Sequence, residues 1–194
     1  MTDYTTTYGP AFVSQITSEA HRTLMLAMAD ALQSELHPEM VLDVGGGDGT
    51  MLRHFLSMGA GGHGTEHPES TFSRPPHLLI PVDLETWTLP FQPRFYDLVV
   101  CIEVAEHLTP ARGPILIEEL CRASNGSVWF SAAYPGQGGT GHVNERPMVY
   151  WSQRFAEHGF LPDGEATERI LDAYAAAIGN EWWYRRAVLY RRTA

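Results

Sequence analysis

The stretch that decides the predicted fold is Val41–Thr50, with the sequence VLDVGGGDGT. Residues 40–44 form a short apolar run, which predicts a buried strand, and residues 49–58 have the apolar spacing of a helix. Glycines between the two allow positive φ angles and let a ligand approach the backbone closely. The start of the following helix offers unpaired N–H groups. The sequence therefore predicts a strand, a glycine turn at which a ligand binds, and a helix.

Strand and helix patterns alternate on both sides of this stretch. Helices are predicted at residues 17–35, 49–58, 111–123, 147–158 and 165–178, and strands at 40–44, 62–66, 77–82, 96–102, 126–132 and 182–192. This alternation predicts an α/β fold with a mostly parallel, doubly wound sheet that carries helices on both faces. Its ligand is expected at the carboxyl ends of the strands, where the strand order reverses.

Length and charge restrict the classes of partner. With 194 residues, the chain is predicted to form one domain over 1–194, with residues 1–36 as an N-terminal arm and helix. The net charge is −10 and all 13 cations are arginines, so nucleic acid is an unlikely partner. Because no apolar run has membrane length and no secretion signal is evident, we expect no membrane partner and a cytoplasmic location. A small-molecule substrate and a homodimer are expected.

The spacing of the glycines distinguishes two cofactor classes. A dinucleotide site has the pattern Gly-x-Gly-x-x-Gly, but Thr50 occupies the third glycine position here. The pattern Asp-x-Gly-x-Gly-x-Gly from Asp43 to Gly49 instead resembles motif I of class I S-adenosylmethionine (SAM)-dependent methyltransferases. The resemblance covers roughly residues 38–160. It implies a Rossmann-like sheet of seven strands with the last strand antiparallel.

This resemblance also implies a set of cofactor-binding residues. Glu66 lies where the family has an acid that binds both ribose hydroxyls, and Asp83 lies where an acid or amide contacts the adenine amino group. Asp43 suits SAM, which carries a cationic amino group and no phosphates. The residues implied to bind SAM are Asp43, Val44, Gly45, Gly46, Gly47, Asp48, Glu66, Asp83, Leu84 and Ile102.

A second motif, Glu103-Val-Ala-Glu106-His107, follows the fourth predicted strand. It resembles an element that binds a divalent metal in ubiquinone-pathway O-methyltransferases and in small-RNA 3′-terminal 2′-O-methyltransferases. In the RNA enzymes, a histidine in the loop after the fifth strand completes the site, and His142 lies in such a loop. The resemblance implies that Glu103, Glu106, His107 and His142 bind Mg²⁺ or another divalent metal, with His107 and Glu103 as catalytic residues. Without a metal, His107 is either a general base or a packed side chain, and His142 is a plain loop residue.

The segment from His142 to Phe160 carries a third pattern, H-x-N…YW…F…GF, which resembles small bacterial and phage methyltransferases. Trp182, Trp183 and Tyr184 are expected in the last strand, and Tyr4 and Tyr8 in an arm over the cofactor. The predicted reaction is methyl transfer from SAM to a hydroxyl of a small molecule, with assistance from a metal. The alternatives are an N- or C-methyltransferase without metal, an RNA-terminus 2′-O-methyltransferase, a SAM-binding partner without turnover, and an NAD-dependent oxidoreductase.

Overall fold

The computed structural model describes residues 7–70, 78–178 and 186–193. The strands are β1 Met40–Val44, β2 Gly61–Glu66, β3 Leu79–Pro81, β4 Tyr96–Ile102, β5 Ser124–Ser131, β6 Phe160–Pro162 and β7 Val188–Arg192. The helices are α1 Pro10–Ile16, α2 Glu19–Leu36, α3 Thr50–Ser57, α4 Arg112–Ala123, α5 Met148–Glu157 and α6 Gly164–Ile178, with a 3₁₀ turn at Ala105–His107.

All seven strands form one sheet in the order β3-β2-β1-β4-β5-β7-β6. Neighbouring strands from β3 to β5 are parallel, and β7 is antiparallel to both β5 and β6. This confirms the predicted α/β sheet of seven mostly parallel strands with an antiparallel last strand. The strand order reverses between β1 and β4, so the carboxyl ends of these two strands form the crevice where such folds bind ligands.

Helices cover both faces of the sheet, which explains why its central strands are apolar throughout. In β1, Leu42 and Val44 belong to a core cluster that includes Trp151 of α5. Val41 points to the opposite face and packs in a cluster that includes Met28 of α2. Each of these five side chains is fully buried. Burial on two faces removes the apolar-polar alternation that a half-exposed strand would show.

Several boundaries differ from the sequence prediction. The helix predicted at 17–35 begins at Glu19, because the Ser18 hydroxyl caps it by accepting a hydrogen bond from the His21 N–H. The separate helix α1 and the short strand β6 were not predicted. Strand β3 is limited to Leu79–Pro81, and β7 covers only the end of the predicted 182–192. Trp182, Trp183, Tyr184 and Tyr4 lie outside the described residues. Within the described ranges, no helix combines the length and apolar character that a membrane crossing requires.

Candidate active site

The glycine turn after β1 needs glycine for two separate reasons. Gly45, Gly47 and Gly49 have φ angles of 72°, 59° and 75°, which side chains other than glycine rarely adopt. At Gly46 the limit is space, because a Cβ atom there would lie 2.5 Å from the Asp43 Oδ2 atom. The turn therefore presents bare backbone to the crevice between β1 and β4.

Glu66, at the end of β2, ties its strand to this turn. Its Oε2 accepts a hydrogen bond of 2.8 Å from the Gly47 N–H, and its Oε1 accepts one of 2.9 Å from the His67 N–H. The side chain is buried, with a relative exposure of 7%. Glu66 thus holds a carboxylate in a fixed orientation at the tip of the strand beside β1.

Asp43 is a buried acid directly under the turn. Its Oδ2 receives no hydrogen bond from any residue in the described ranges. Burial, reinforced by the charges of Glu66 and Asp48, raises the pKa of Asp43 to about 7. A cation close to the turn would favour the charged form of this carboxyl.

The loop after β3 contains Asp83 and Leu84, and a buried arginine fixes it. The Asp83 carboxylate closes the loop locally by accepting hydrogen bonds from the Glu85 N–H, at 2.9 Å, and the Thr86 hydroxyl, at 2.6 Å. Arg112 of α4 donates from Nε to the Leu84 carbonyl and forms an ion pair of 3.0 Å with Glu119. The backbone at Leu84 is therefore held against α4.

Glu103 begins the segment after β4 with a φ of 53°, an unusual value for a residue other than glycine. Its Oε1 accepts a hydrogen bond of 2.7 Å from the Ser131 hydroxyl of β5. Its Oε2 accepts one of 3.3 Å from the Gln137 amide. These two contacts hold the Glu103 carboxylate at the crevice, supported by β5 and by the loop that follows it.

Glu106 is the least solvated acid of the site, with a relative exposure of 0%. Neither of its carboxylate oxygens has a hydrogen-bond partner among the described residues. Burial, with a further contribution from the charge of Glu103, raises its pKa well above the usual range. An unsatisfied buried carboxyl is costly for a folded protein, so its presence points to a ligand.

Two histidines complete a compact group with Glu106. One ligand atom from each of Glu106, His107 and His142 lies within 4.8 Å of the others. The two imidazole rings contact each other edge to face, with centroids 5.0 Å apart. The Nδ1 atom of His142 lies 3.0 Å from Glu145 Oε1, which leaves its Nε2 as the ring nitrogen available to a ligand. Burial lowers the pKa of His107 to about 4, so its ring is neutral at pH 7, the form that binds metals.

Helix α1 and the residues before it cover the site. The Tyr8 hydroxyl lies 2.9 Å from His107 Nδ1, and the Tyr8 ring packs edge to face on Phe12. Gly141 leaves room for this hydroxyl, since a Cβ atom there would lie 2.6 Å from it. At the other end of the helix, Ile16 approaches Gly47. One segment therefore contacts both the glycine turn and the histidine pair.

The structure brings most of the predicted site residues together at the carboxyl edge of the sheet. Val44 and Ile102 end β1 and β4, and the Asp48 carboxylate accepts a hydrogen bond of 2.9 Å from the Thr50 N–H at the start of α3. Glu103, which the sequence grouped with the metal ligands, is not part of the compact group of described residues, and its oxygens accept hydrogen bonds from Ser131 and Gln137. Asp83 lies two residues beyond the end of β3 rather than at its tip.

The sequence analysis missed three residues that shape the site. Gln137 orients Glu103, and Arg112 holds the loop at Leu84. Glu145 fixes His142 and also accepts backbone hydrogen bonds from Gly136 and Gly138, at 2.8 and 2.7 Å. Only Glu145 had a usable signal, since it is an acid three positions after a candidate ligand histidine.

The residues present fit both groups that the resemblance implies. For SAM, the fit rests on the bare glycine backbone, the carboxylate of Glu66 and the unpartnered Oδ2 of Asp43. For a divalent metal, it rests on the unpartnered carboxyl of Glu106 beside two imidazoles. Carboxylate and imidazole together suit Mn²⁺, Fe²⁺, Zn²⁺ and, more weakly, Mg²⁺.

Comparison with solved structures decides the fold family. A SAM-dependent methyltransferase from Archaeoglobus fulgidus matches with a TM-score of 0.65 at 17% identity, over 98% of this chain and 100% of that one. The fold is that of class I SAM-dependent methyltransferases. DesVI from Streptomyces venezuelae matches with a TM-score of 0.65 at 14% identity, over the whole length of both chains.

A third structure with this methyltransferase fold contains a bound product. It is the magnesium protoporphyrin IX methyltransferase ChlM from Synechocystis PCC 6803 with S-adenosylhomocysteine (SAH), and it matches with a TM-score of 0.63 at 15% identity, over 98% of this chain and 93% of that one. No protein-family model matches the sequence, and a comparison with curated proteins finds no match. At such identities the likeness establishes the methyltransferase fold alone.

Proposed function

We propose that the protein is a SAM-dependent methyltransferase that methylates a hydroxyl group of a small molecule with the assistance of a divalent metal. The observation that carries this proposal is the compact group of Glu106, His107 and His142 at the end of β4, on the crevice side of the glycine turn. Its carboxyl is buried without a hydrogen-bond partner in the described ranges, as expected for a ligand residue whose ion supplies the compensation.

The cofactor half of the site consists of the glycine turn, Asp43, Glu66 and the loop at Asp83 and Leu84. It would hold SAM at the ends of β1, β2 and β3. SAM, when bound, supplies an electrophilic methyl group on a sulfonium. The Glu66 carboxylate, oriented by the backbone hydrogen bonds that its two oxygens accept, would itself accept hydrogen bonds from the ribose hydroxyls. Leu84, held by Arg112, offers backbone to the adenine. The acid of Asp43 favours a cationic ligand at the turn.

The reaction half consists of Glu103, Glu106, His107 and His142, and it would hold the metal and the acceptor. A divalent ion bound by Glu106, His107 and His142 supplies a Lewis acid that lowers the pKa of a coordinated hydroxyl. Glu145 fixes the ring of His142, which is how carboxylates next to ligand histidines orient them. Ser131 and Gln137 hold the carboxylate of Glu103 beside this group, where it would orient the acceptor hydroxyl or accept its proton.

Two observations favour this proposal over its alternatives. A general base works best when its pKa lies near the working pH, whereas burial lowers the pKa of His107 to about 4. His107 therefore suits a metal ligand better than the base of a metal-free N- or C-methyltransferase. The net charge of −10 disfavours an RNA terminus as the acceptor, because phosphate contacts need a basic face.

The decisive experiment is a SAM-consumption screen over hydroxylated, amine and RNA-terminus acceptors, with Mg²⁺, with Mn²⁺ and with EDTA. Turnover of a hydroxyl acceptor that stops with EDTA supports the proposal. Turnover that survives EDTA favours the metal-free alternative, and failure to bind SAH in a titration overturns the cofactor assignment.

A matched pair of histidine variants localises the chemistry. His107→Ala should retain SAH binding and lose methyl transfer. His158→Ala is the control, because His158 lies at the end of α5 and belongs to neither half of the site. Equal turnover by both variants would contradict the role of His107.

A further inference from the structure

A cavity of about 350 Å³ lies between the ends of β5 and β7 and helix α6. Since β7 is antiparallel to β5, with Phe130 paired to Val188, the start of β7 and the end of β5 meet at the carboxyl edge of the sheet. The cavity wall there includes Ala132 from the segment after β5 and Leu171 from α6. This volume is within the range of pockets that bind small molecules.

The cavity and the proposed metal site share one loop. The segment between β5 and α5 leaves the cavity wall at Ala132 and Tyr134, contributes His142 to the metal group, and returns to the wall at Met148. Along this path, Gln137 accepts a hydrogen bond of 3.3 Å from the Tyr134 N–H and donates one to Glu103. A molecule in the cavity would therefore lie against the same loop that holds the reacting groups.

Among the described wall residues, Arg186 is the one cation, and most of the others are apolar. Thr167 is a polar wall residue, but its hydroxyl already donates to the Asp163 carbonyl and accepts from the Leu189 N–H. Arg186 stacks on the ring of Tyr134, with its guanidinium carbon 3.6 Å from the ring centroid. In the described part of the chain, Arg186 has no ion pair and no hydrogen bond, so its guanidinium donors are available to a ligand.

We propose that this cavity is the acceptor subsite and that it takes a small, largely apolar molecule bearing one carboxylate, which pairs with Arg186. This inference rests on the methyltransferase function proposed above. A planar guanidinium binds a carboxylate through two parallel hydrogen bonds, and stacking on Tyr134 pre-organises it to do so. Arg186, the one cation among the described wall residues, matches a single negative charge, whereas a doubly charged phosphate would remain undercompensated in a chain of net charge −10.

The test compares two probes of nearly equal shape, 3,4-dihydroxybenzoate and 3,4-dihydroxybenzamide. Both have the vicinal diol that a metal site can chelate, and only the first has a carboxylate. Binding is measured by calorimetry on the full chain with SAH and Mg²⁺ present. The benzoate should bind about tenfold more tightly than the benzamide, as expected for one charge-assisted pair.

Substitution of Arg186 tests whether this residue causes the preference for the benzoate. Arg186→Gln should bind both probes equally, while Arg22→Gln, an exposed arginine on α2, should keep the tenfold difference. Equal binding of the two probes to the native protein overturns the proposal, and so does a preference that survives Arg186→Gln. The native comparison needs no variant and stays decisive if Arg186→Gln fails to fold.

A second variant tests the cavity itself. Leu171→Trp should fill the cavity and lower the affinity for both probes by at least about tenfold, because the larger ring occupies the space that the probe needs. Unchanged binding by this variant places the acceptor elsewhere and overturns the proposal. SAH and Mn²⁺ titrations on the same samples distinguish failure of this inference from failure of the proposed function. If these ligands bind but neither probe does, this inference fails while the cofactor and metal assignments stand.

Discussion

The two halves of the site are built in different ways. In the cofactor half, contacts connect residues close in sequence: the Gly47 N–H reaches Glu66, 19 positions later, and the Thr50 N–H reaches Asp48, two positions earlier. In the reaction half, distant segments meet, since Tyr8 contacts His107 across 99 positions and Gln137 contacts Glu103 across 34. The first half depends on one strand-turn-helix unit and its neighbour, whereas the second depends on correct packing of the whole chain.

The halves also differ in how far the protein satisfies its own polar groups. Glu66 receives backbone hydrogen bonds on both carboxylate oxygens, whereas Glu106 receives none from the described residues. A satisfied acid holds its position with or without a ligand. An unsatisfied buried acid weakens the unliganded protein and is stabilised by a cation. The contrast predicts that neutralising an unsatisfied acid, either Glu106 or Asp43, changes function and stability in opposite directions.

The largest effect is expected for Glu106→Gln. Loss of a metal ligand should lower kcat at least about a thousandfold, since metal assistance contributes several kcal/mol to such reactions. The same change should stabilise the protein without metal by about 1 to 3 kcal/mol, because a neutral amide replaces a buried carboxyl that lacks partners. Urea unfolding and metal-dependent turnover measure the two effects.

Glu118→Gln on the exposed face of α4 is the matched control for this prediction. It should leave both unfolding and turnover unchanged. If Glu106→Gln lowers the free energy of unfolding without metal, Glu106 has a structural role, and the proposed contrast between the two halves is wrong.

Asp43→Asn addresses the one unsatisfied acid of the cofactor half. The pKa of Asp43 is raised to about 7 in the folded chain, so the native protein loses stability as the pH rises from about 4 through 7. The asparagine variant lacks this loss, so its free energy of unfolding relative to that of the native protein should increase between pH 5 and pH 8. Urea unfolding at both pH values tests this, with Asp172→Asn as the exposed control.

Ionisation of Asp43, which lowers stability, should increase the affinity for SAH. A cationic amino group near the turn favours ionised Asp43, so native affinity should increase between pH 6 and pH 8. In Asp43→Asn this pH dependence should disappear and affinity should fall by up to about a hundredfold, the loss expected for one charge-assisted interaction. An unchanged affinity would show that Asp43 supports the turn only mechanically.

The sequence sufficed to predict the glycine turn of the cofactor half because the requirements of this turn are local. Positive φ angles at Gly45, Gly47 and Gly49 leave glycine as the favoured residue, and the apolar run of β1 predicts a buried strand. Alternation of strands and helices predicted the doubly wound sheet, which the structure confirms. Glu66 followed from the resemblance, since its own strand, Gly61–Glu66, is rich in glycine and carries a weak pattern.

The reaction half could be predicted only as a set of residue types. The motif at 103–107 suggested ligands, but no spacing rule connects Glu103 to Ser131 and Gln137, whose hydrogen bonds orient its carboxylate. The cover by α1 depends on a tertiary contact of a seven-residue helix, too short for periodicity to reveal. Strand β6 has three residues and was missed for the same reason.

Glu145→Gln tests whether the reaction half depends on its supporting residues. The glutamine can still accept hydrogen bonds from the loop, but it no longer offers a charge to the His142 ring. Metal affinity should fall by about tenfold, the lower end of the range for residues that support metal ligands. Glu157→Gln, on an exposed pair with Arg154, is the matched control and should leave Mn²⁺ titration unchanged. Equal affinities in the two variants would remove Glu145 from the site.

The smallest effect is expected for Tyr8→Phe, which separates the two roles of the covering segment. Phenylalanine retains the ring contacts with Phe12 and His107 and loses only the hydroxyl that lies 2.9 Å from His107 Nδ1. Loss of one hydrogen bond should change metal affinity and acceptor KM by no more than about tenfold. SAH affinity should stay unchanged, because Ile16, not Tyr8, approaches the glycine turn. If Tyr8→Phe weakens SAH binding as much as metal binding, the two halves are coupled through α1. The site is then a single cooperative unit, and the contrast between a half built from local contacts and a half built from distant segments is wrong.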